Sequence, residues 1–362
     1  MARHASPEPM MTKTRIRNMV LAMTALTVFV VAMIASYSGA FARPTLHHLT
    51  VAVAAPGQVV EAIRGQDVLA VNAVGDDAAA RQQVREQAAD AAFVVAQTGE
   101  MKIYVAGGGG KSVATAAESV GRAIATKGGF TAAVEDVAPT SAADPSGTVE
   151  FYAVIFISIG ASLGATAFGY IMGKVRRPAT FLLRTLTLTG YSALLAGVVT
   201  VYVDGMLGAL AGHTLAVFGA LWIYAMAVGG AVTGVAAAFG STASVLLTLF
   251  LVVVGNAAAA GPVGRPLLSP FYSTFTTIVP QGSGVALLRS ISYFGGHSAG
   301  TPLLTLVIWG AAGCLLAALA TALRVNYRAV YERFARRSRP VLRPGHISPS
   351  GRHAVAAGAD LD

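Results

Sequence analysis

The residues that come nearest to a known chemical motif form a glycine-rich string at 105–112. The string Val-Ala-Gly-Gly-Gly-Gly-Lys-Ser follows a predicted strand, precedes a predicted helix and ends like a phosphate-binding P-loop. A P-loop needs a glycine six positions before its lysine, where backbone N–H groups wrap the phosphate, and position 105 is Val. The dinucleotide-binding pattern also fails, because Ser112 stands where its third glycine belongs. The string therefore predicts a flexible turn between a strand and a helix.

A second motif, Gly-x-Ser-x-Gly at 160–164, is typical of hydrolases with a nucleophilic serine. Such a serine sits at a strand-to-helix elbow beside a His and an acid, whereas Ser162 falls within a predicted membrane helix. The same glycines are four residues apart, a spacing that lets two helices pack closely. We therefore predict a helix-packing role for Gly160, Gly164, Gly169 and Gly173.

Patterns for metal binding and acid–base chemistry are not found in the sequence. His47, His48 and His213 lack the partner spacing of a known metal site. The predicted membrane spans carry no paired carboxylates, which argues against a transporter coupled to protons or cations. These observations predict a protein that is not an enzyme and that has no catalytic residues, cofactor or metal.

Composition explains why soluble-enzyme motifs fail here. The chain has 362 residues, of which 54% are hydrophobic and 12% are charged, with a mean hydropathy of +0.62 and a net charge of +9. Soluble domains average about 25% charged residues, so a soluble enzyme is excluded. A disordered chain is excluded because the apolar content is too high. What remains is an α-helical polytopic membrane protein.

Apolar runs and charged segments divide the chain into five parts. These are a cytoplasmic segment at 1–17, a membrane span at 18–42, a small extracytoplasmic α/β domain with its linker at 43–150, a five-span membrane domain at 151–323, and a basic tail at 324–362 that is predicted to be disordered at its end. An uncleaved anchor is favoured for the first span, although Ala40-Phe41-Ala42 is also typical of a signal-peptide cleavage site.

The element predictions are coarse. Including the first span, six are expected, the other five at about 151–173, 182–203, 213–235, 237–257 and 303–323. In the α/β domain, strands are expected at Leu49–Ala54, Phe93–Val95 and Lys102–Ala106, with helices over Asp76–Ala92 and Lys111–Ala125.

Positive charge orients these spans. The N-terminal segment, the 174–184 loop and the tail are basic, and an even number of spans places all three on one side of the membrane. The positive-inside rule assigns that side to the cytoplasm. We therefore expect a multi-pass protein of the plasma membrane with both termini cytoplasmic. The basic tail is attributed to lipid head groups, not to nucleic acid.

The stretch 258–300 is too apolar for a solvated loop and carries four prolines. It is predicted to form re-entrant or interfacial pieces on the extracytoplasmic side. The candidate motif within it contains Pro280, Gly282, Gly284 and Arg289. The charge of Arg289 must reach water, lipid head groups or a partner, and the favoured interpretation is that it snorkels to the surface.

Several short sequence motifs occur in the outside domain and in the membrane domain. They are Val134–Pro139, Asp144–Gly147, Gly255-Asn256, Val279–Gly284, Leu288-Arg289 and Tyr293–Gly296. These motifs, together with the layout of one span, an outside domain and five further spans, resemble the YhgE/Pip (phage-infection-protein) group. The resemblance is strongest to the actinobacterial members of that group. That group is similar to the permeases of type-2 ABC transporters. Many of its members have a much longer outside domain than this chain.

The resemblance implies a permease-like subunit that exports an unknown substrate with separate ATPase subunits, as a homo- or heterodimer in the membrane lipid. The candidate contact with a cytoplasmic ATPase is the loop containing Lys174, Arg176 and Arg177. The alternative is a non-transporting envelope protein whose outside domain binds a partner or acts as a phage or secretion receptor.

Overall fold

The computed structural model describes residues 12–96, 98–173 and 178–324. The helices within these ranges are α1 (Lys13–Phe41), α2 (Gly57–Arg64), α3 (Asp77–Arg85), α4 (Lys111–Gly128), α5 (Val149–Met172), α6 (Pro178–Thr200), α7 (Thr214–Phe239), α8 (Ser241–Phe250), α9 (Pro270–Ile278), α10 (Pro280–Tyr293) and α11 (Gly300–Arg324). The strands are β1 (Leu49–Ala54), β2 (Leu69–Ala73), β3 (Ala91–Val95), β4 (Glu100–Val105) and β5 (Thr131–Asp136).

Five helices among the described residues are long and apolar enough to cross a bilayer. They are α1, α5, α7, α11 and the continuous stretch Ala179–Met206, in which α6 runs into a π-helical turn. Their lengths and composition are those of a polytopic helical membrane protein. Each overlaps one of the spans expected from the sequence.

The remaining predicted span, 237–257, is shorter than expected. Gly240 separates α7 from α8 with a φ of +94°, a left-handed value that a glycine adopts without strain. The 10 residues of α8 continue into five π-helical residues, Leu251–Gly255. At 1.5 Å per residue this segment is about 22 Å long, less than the ~30 Å of hydrocarbon, so by length alone the described chain has five spanning helices.

The small domain contains a mixed five-stranded sheet with the order β2-β1-β3-β4-β5. The β1 strand pairs in parallel with β2 and β3, β3 pairs antiparallel with β4, and β4 pairs in parallel with β5. The predicted bounds of β1 agree with the structure, whereas β2 and β5 were not expected. Both of these strands lie at the edges, where half-exposed residues give no clear alternation.

The helix predicted over Asp76–Ala92 is wrong in its second half. Asp76 begins α3 by accepting a hydrogen bond from the Ala79 N–H at 2.8 Å, and the helix ends at Arg85. The chain then turns at Gln87, whose φ is +57°, and enters the buried strand β3. Ala91 and Ala92 fit either state locally, and it is the strand partners β1 and β4 that make them extended.

The α7 helix is the centre of the membrane domain and packs against α5, α6 and α11. Its contact with α11 depends on glycines on both helices. A Cβ at Gly234 would collide with the backbone of Gly313, and a Cβ at Gly313 would collide with the carbonyl of Gly230. Such close backbone approach is how small residues hold membrane helices together.

The small residues of α5 face α6. A Cβ at Gly164 would collide with the Tyr191 ring, and the Tyr191 hydroxyl donates to the Gly160 carbonyl at 3.1 Å. A Cβ at Gly169 would lie 2.7 Å from an Arg184 guanidinium nitrogen. A Cβ at Gly173 would meet nothing within 4 Å, so this glycine is not needed for helix packing. It follows the last residue of α5 with a φ of +62°, and its role is to end the helix.

We predict that Gly234→Ala lowers the thermal denaturation midpoint of the detergent-solubilised protein, because the added methyl separates α7 from α11. The matched control is Gly219→Ala on the same helix, where a Cβ meets nothing within 4 Å. There the better helix propensity of Ala, up to ~1 kcal/mol, leaves the midpoint unchanged or raised. Equal midpoints for the two variants would contradict the close contact.

Candidate functional site

The glycine-rich string forms the predicted turn between a strand and a helix, and Gly107, Gly108 and Gly110 within it are buried. Gly107–Gly109 forms one 3-10 turn between β4 and α4, and the Asp136 carboxylate accepts from the Gly107 N–H at 3.0 Å. A Cβ at Gly108 would collide with the Tyr293 side chain of α10. Glycine is therefore required here so that the backbone of the small domain can approach the membrane domain.

Arg289 lies on the other side of this contact and is only 6% exposed. Its guanidinium donates to the carbonyls of four residues: Gly109 at 3.2 Å, Ala260 at 3.0 Å, Gly147 at 3.4 Å and Gly261 at 2.9 Å. The fixed fork of N–H donors in arginine suits such a set of acceptors. The predicted snorkelling to the surface is therefore not observed, because backbone carbonyls satisfy the charge inside the protein.

Two buried carboxylates add negative charge near Arg289. Asp144 begins α5 by accepting from the N–H groups of Thr148 and Val149, at 2.8 and 2.7 Å. Glu150 is fully buried, and neither of its oxygens has a hydrogen-bond partner among the described residues. The Tyr293 hydroxyl is close to Glu150 but outside hydrogen-bonding geometry.

The predicted motif with Pro280 forms the junction between two short helices. The backbone is extended at Val279, between the end of α9 and the Pro at the first position of α10. A Cβ at Gly282 would collide with the Thr276 carbonyl, and a Cβ at Gly284 would lie 3.0 Å from the Tyr224 ring. Proline and glycine thus allow α9 and α10 to fold sharply against each other.

Polar groups are concentrated where α10 begins. Gln281 is fully buried, and its Nε2 donates to the Ser158 Oγ at 3.0 Å and to the Leu251 carbonyl at 2.9 Å. The Gln281 Oε1, the Asn256 amide and the Tyr224 hydroxyl are buried without a hydrogen-bond partner within the described ranges. Unsatisfied polar groups are costly in a membrane domain, so this cluster is a candidate site for function.

A cleft of about 270 Å³ lies between the small domain and the helices α9, α10 and α11. Asp90 and Gln87 line it from the small domain, and Arg265, Ser283, Arg289 and Thr301 line it from the membrane domain. Burial raises the pKa of the Asp90 carboxyl, although the Thr50 N–H and the charge of Arg265 act in the opposite direction. No sequence pattern pointed to Asp90, because only the fold brings it near Arg265.

Lys174, Arg176 and Arg177 lie outside the described residues. His213 precedes α7, and His47 contacts the Thr45 hydroxyl at 2.9 Å. No group of three or more His, Cys, Asp or Glu side chains that could hold a metal occurs in the part of the chain that the structure describes.

We predict that Arg289→Lys loosens the contact between the two domains, because one ammonium cannot donate to four carbonyls. Hydrogen bonds from charged groups are worth about 1.5–3 kcal/mol, so the denaturation midpoint should fall and amide exchange at 107–110 and 258–264 should accelerate. The matched control is Arg122→Lys, an exposed partner of Glu118 on α4. If both variants behave alike, the four-carbonyl contact is not a source of stability.

Comparisons with protein-family models, curated proteins and solved structures find no match for this chain. The resemblance to the YhgE/Pip group therefore stays a prediction from the sequence.

Proposed function

We propose that this chain is a permease-like membrane subunit that exports an unknown substrate, with energy supplied by separate ATPase subunits. The sequence contains no intact P-loop, so the ATPase must be another polypeptide. In this proposal the protein is not itself an enzyme and works as a homo- or heterodimer in the plasma membrane. The resemblance to type-2 ABC permeases motivates it, and the arrangement of α9 and α10 supports it.

The observation that carries the proposal is the depth of the α9–α10 junction, measured along the neighbouring helices α5 and α11 from their first residues. The Trp309 Nε1 donates to the Ile278 carbonyl at 2.8 Å, and Gln281 contacts Ser158. Ser158 lies nine residues into α5 and Trp309 nine residues into α11, or about 13 Å from the starts of those helices. A helix pair that folds back about halfway through ~30 Å of hydrocarbon is re-entrant.

Broken helices near the middle of a membrane are typical of transport proteins. Their irregular backbone is tolerated where protein buries it or where it lines a cavity. The unpartnered groups of Gln281, Asn256 and Tyr224 lie beside this junction. Polar groups at such a depth are what a route for a polar substrate requires.

The orientation and the sixth span are also part of the proposal. Ser241–Gly255 serves as the sixth crossing segment if the re-entrant pair completes the passage on the far side. Both termini are then cytoplasmic and the small domain is extracytoplasmic. Within this topology, an ATPase can dock at the loop with Lys174, Arg176 and Arg177, which joins two spans directly.

The topology predicts which positions an impermeant thiol reagent reaches in intact cells. In a Cys314→Ser background, Lys127→Cys on α4 should react, whereas Thr12→Cys and Ser241→Cys should react only after the membrane is permeabilised. All three positions are exposed. The opposite pattern would show an inverted chain and would leave no cytoplasmic docking site at 174–177.

The transport proposal predicts that an ATPase co-purifies with this chain and that its turnover changes when the chain is present. The double variant Arg176→Gln, Arg177→Gln should reduce co-purification or stimulation severalfold while insertion stays normal. The control, Arg122→Gln with Lys127→Gln, removes two charges from α4 and should have no effect. Partners recovered only through residues 43–150, with no ATPase, would favour the non-transporting envelope protein.

A further inference from the structure

The cleft between the small domain and α9–α11 has the features of a binding site. At about 270 Å³ it lies just below the ~300–1,000 Å³ of typical small-molecule pockets. It can hold a group of head-group size but not a polymer or a protein segment. Its walls are formed by both domains, so its contents contact the small domain and the re-entrant pair together.

Asp90 supplies an unused negative charge inside the cleft. The carboxylate is mostly removed from solvent, and its Oδ2 accepts from the Thr50 N–H at 2.9 Å. Within the described ranges, Oδ1 has no hydrogen-bond donor and no cation within 4 Å. A half-buried carboxylate with an open oxygen favours a ligand that brings a cationic hydrogen-bond donor.

Arg265 supplies the complementary positive charge at the rim. Its side chain is exposed, and it lies near enough to Asp90 to influence it without forming an ion pair with it. Arg289 adds a second positive charge on the inner wall, although its own donors are engaged by carbonyls. The cleft therefore presents separated charges of both signs, a pattern that a zwitterion matches.

Hydroxyl groups and apolar surface complete the site. The Ser283 and Thr301 hydroxyls line the cleft, and neither makes a hydrogen bond to the described part of the protein. Close in sequence to the lining residues of α9 and α11, the side chains of Ile278, Leu304 and Ile308 are more than half exposed. Because α11 is a candidate membrane span, its exposed Leu304 and Ile308 side chains are suited to contact the acyl chains of lipid.

We propose that the cleft binds the head group of a zwitterionic phospholipid, with its primary ammonium at Asp90, its phosphate at Arg265 and its acyl chains along α9 and α11. Ser283 and Thr301 hydrogen-bond to the phosphate or glycerol oxygens. This inference goes beyond the transport proposal, because lipid can occupy the cleft whether or not the chain moves a substrate.

The test uses the purified full-length protein without any ATPase, in an uncharged maltoside detergent. The probes are dihexanoyl phosphatidylethanolamine, dihexanoyl phosphatidylglycerol and free phosphoethanolamine, with bound ligand counted by native mass spectrometry. Losing one charge-assisted hydrogen bond corresponds to about tenfold in affinity, so the ethanolamine lipid should bind about tenfold more tightly than the glycerol lipid. Free phosphoethanolamine should bind more weakly than the lipid, because it lacks the chains.

Three variants locate the binding. Asp90→Asn keeps an acceptor for the Thr50 N–H and should abolish the preference for the ethanolamine lipid. Arg265→Gln should weaken the binding of both lipids. Because the Arg265 side chain is exposed, this variant should fold, and it therefore tests the proposal even if Asp90→Asn does not fold. The control, Glu118→Gln on α4, should change nothing.

Three results would overturn the proposal. These are equal affinity for the two lipids in the unaltered protein, binding that is unaffected by both Asp90→Asn and Arg265→Gln, and free phosphoethanolamine binding as tightly as the lipid. The last would indicate a soluble ligand and not a membrane lipid. None of these results bears on whether an ATPase is coupled to the chain, so the two proposals fail independently.

Discussion

The structure depends most on how one buried positive charge is satisfied. An arginine stays protonated in any protein, and its charge is very costly to bury without partners. Arg289 is satisfied only when carbonyls from the small domain, its linker and the loop after α8 converge on one guanidinium. Separating the domains would remove the acceptors of Gly109 and Gly147 and leave only those of Ala260 and Gly261, so the contact fixes α10 against the small domain.

Glycine is the second part of the same constraint. Carbonyls can converge on one side chain only if backbones approach closely, and a Cβ would prevent this at several positions. Gly108, Gly261 and Gly264 are such positions, where added Cβ atoms would collide with Tyr293, Phe151 and Val113. The neighbouring Ala260 accepts from Arg289 while adopting a φ of +55°, a left-handed conformation that costs about 1–2 kcal/mol. The arginine contact offsets that cost.

The two ends of α10 differ in how well their polar groups are satisfied. At the end near Arg289, four carbonyls accept from the guanidinium and the domains are held together. At the other end, Gln281 is only partly satisfied, and the Asn256 amide beside it has no partner within the described residues. A satisfied polar network rigidifies its surroundings, whereas a partly satisfied one leaves donors and acceptors for something else. The rigid end therefore positions the open cleft, and the unsatisfied end supplies the polar groups that the proposed transport function requires.

Local patterns determined what the sequence alone could predict. Uninterrupted apolar runs predicted the long helices α1, α5, α7 and α11, and alternation bounded by Pro56 predicted β1, because these signals lie within one segment. The division of α3 from β3 and the existence of β2 and β5 depended on strand partners distant in the chain. The same holds for the site: the sequence singled out Arg289 and the glycine-rich string but could not show that they touch, and it gave no reason to notice Asp90. Tertiary structure decided these points, because a buried charge is satisfied by whichever backbone the fold brings to it.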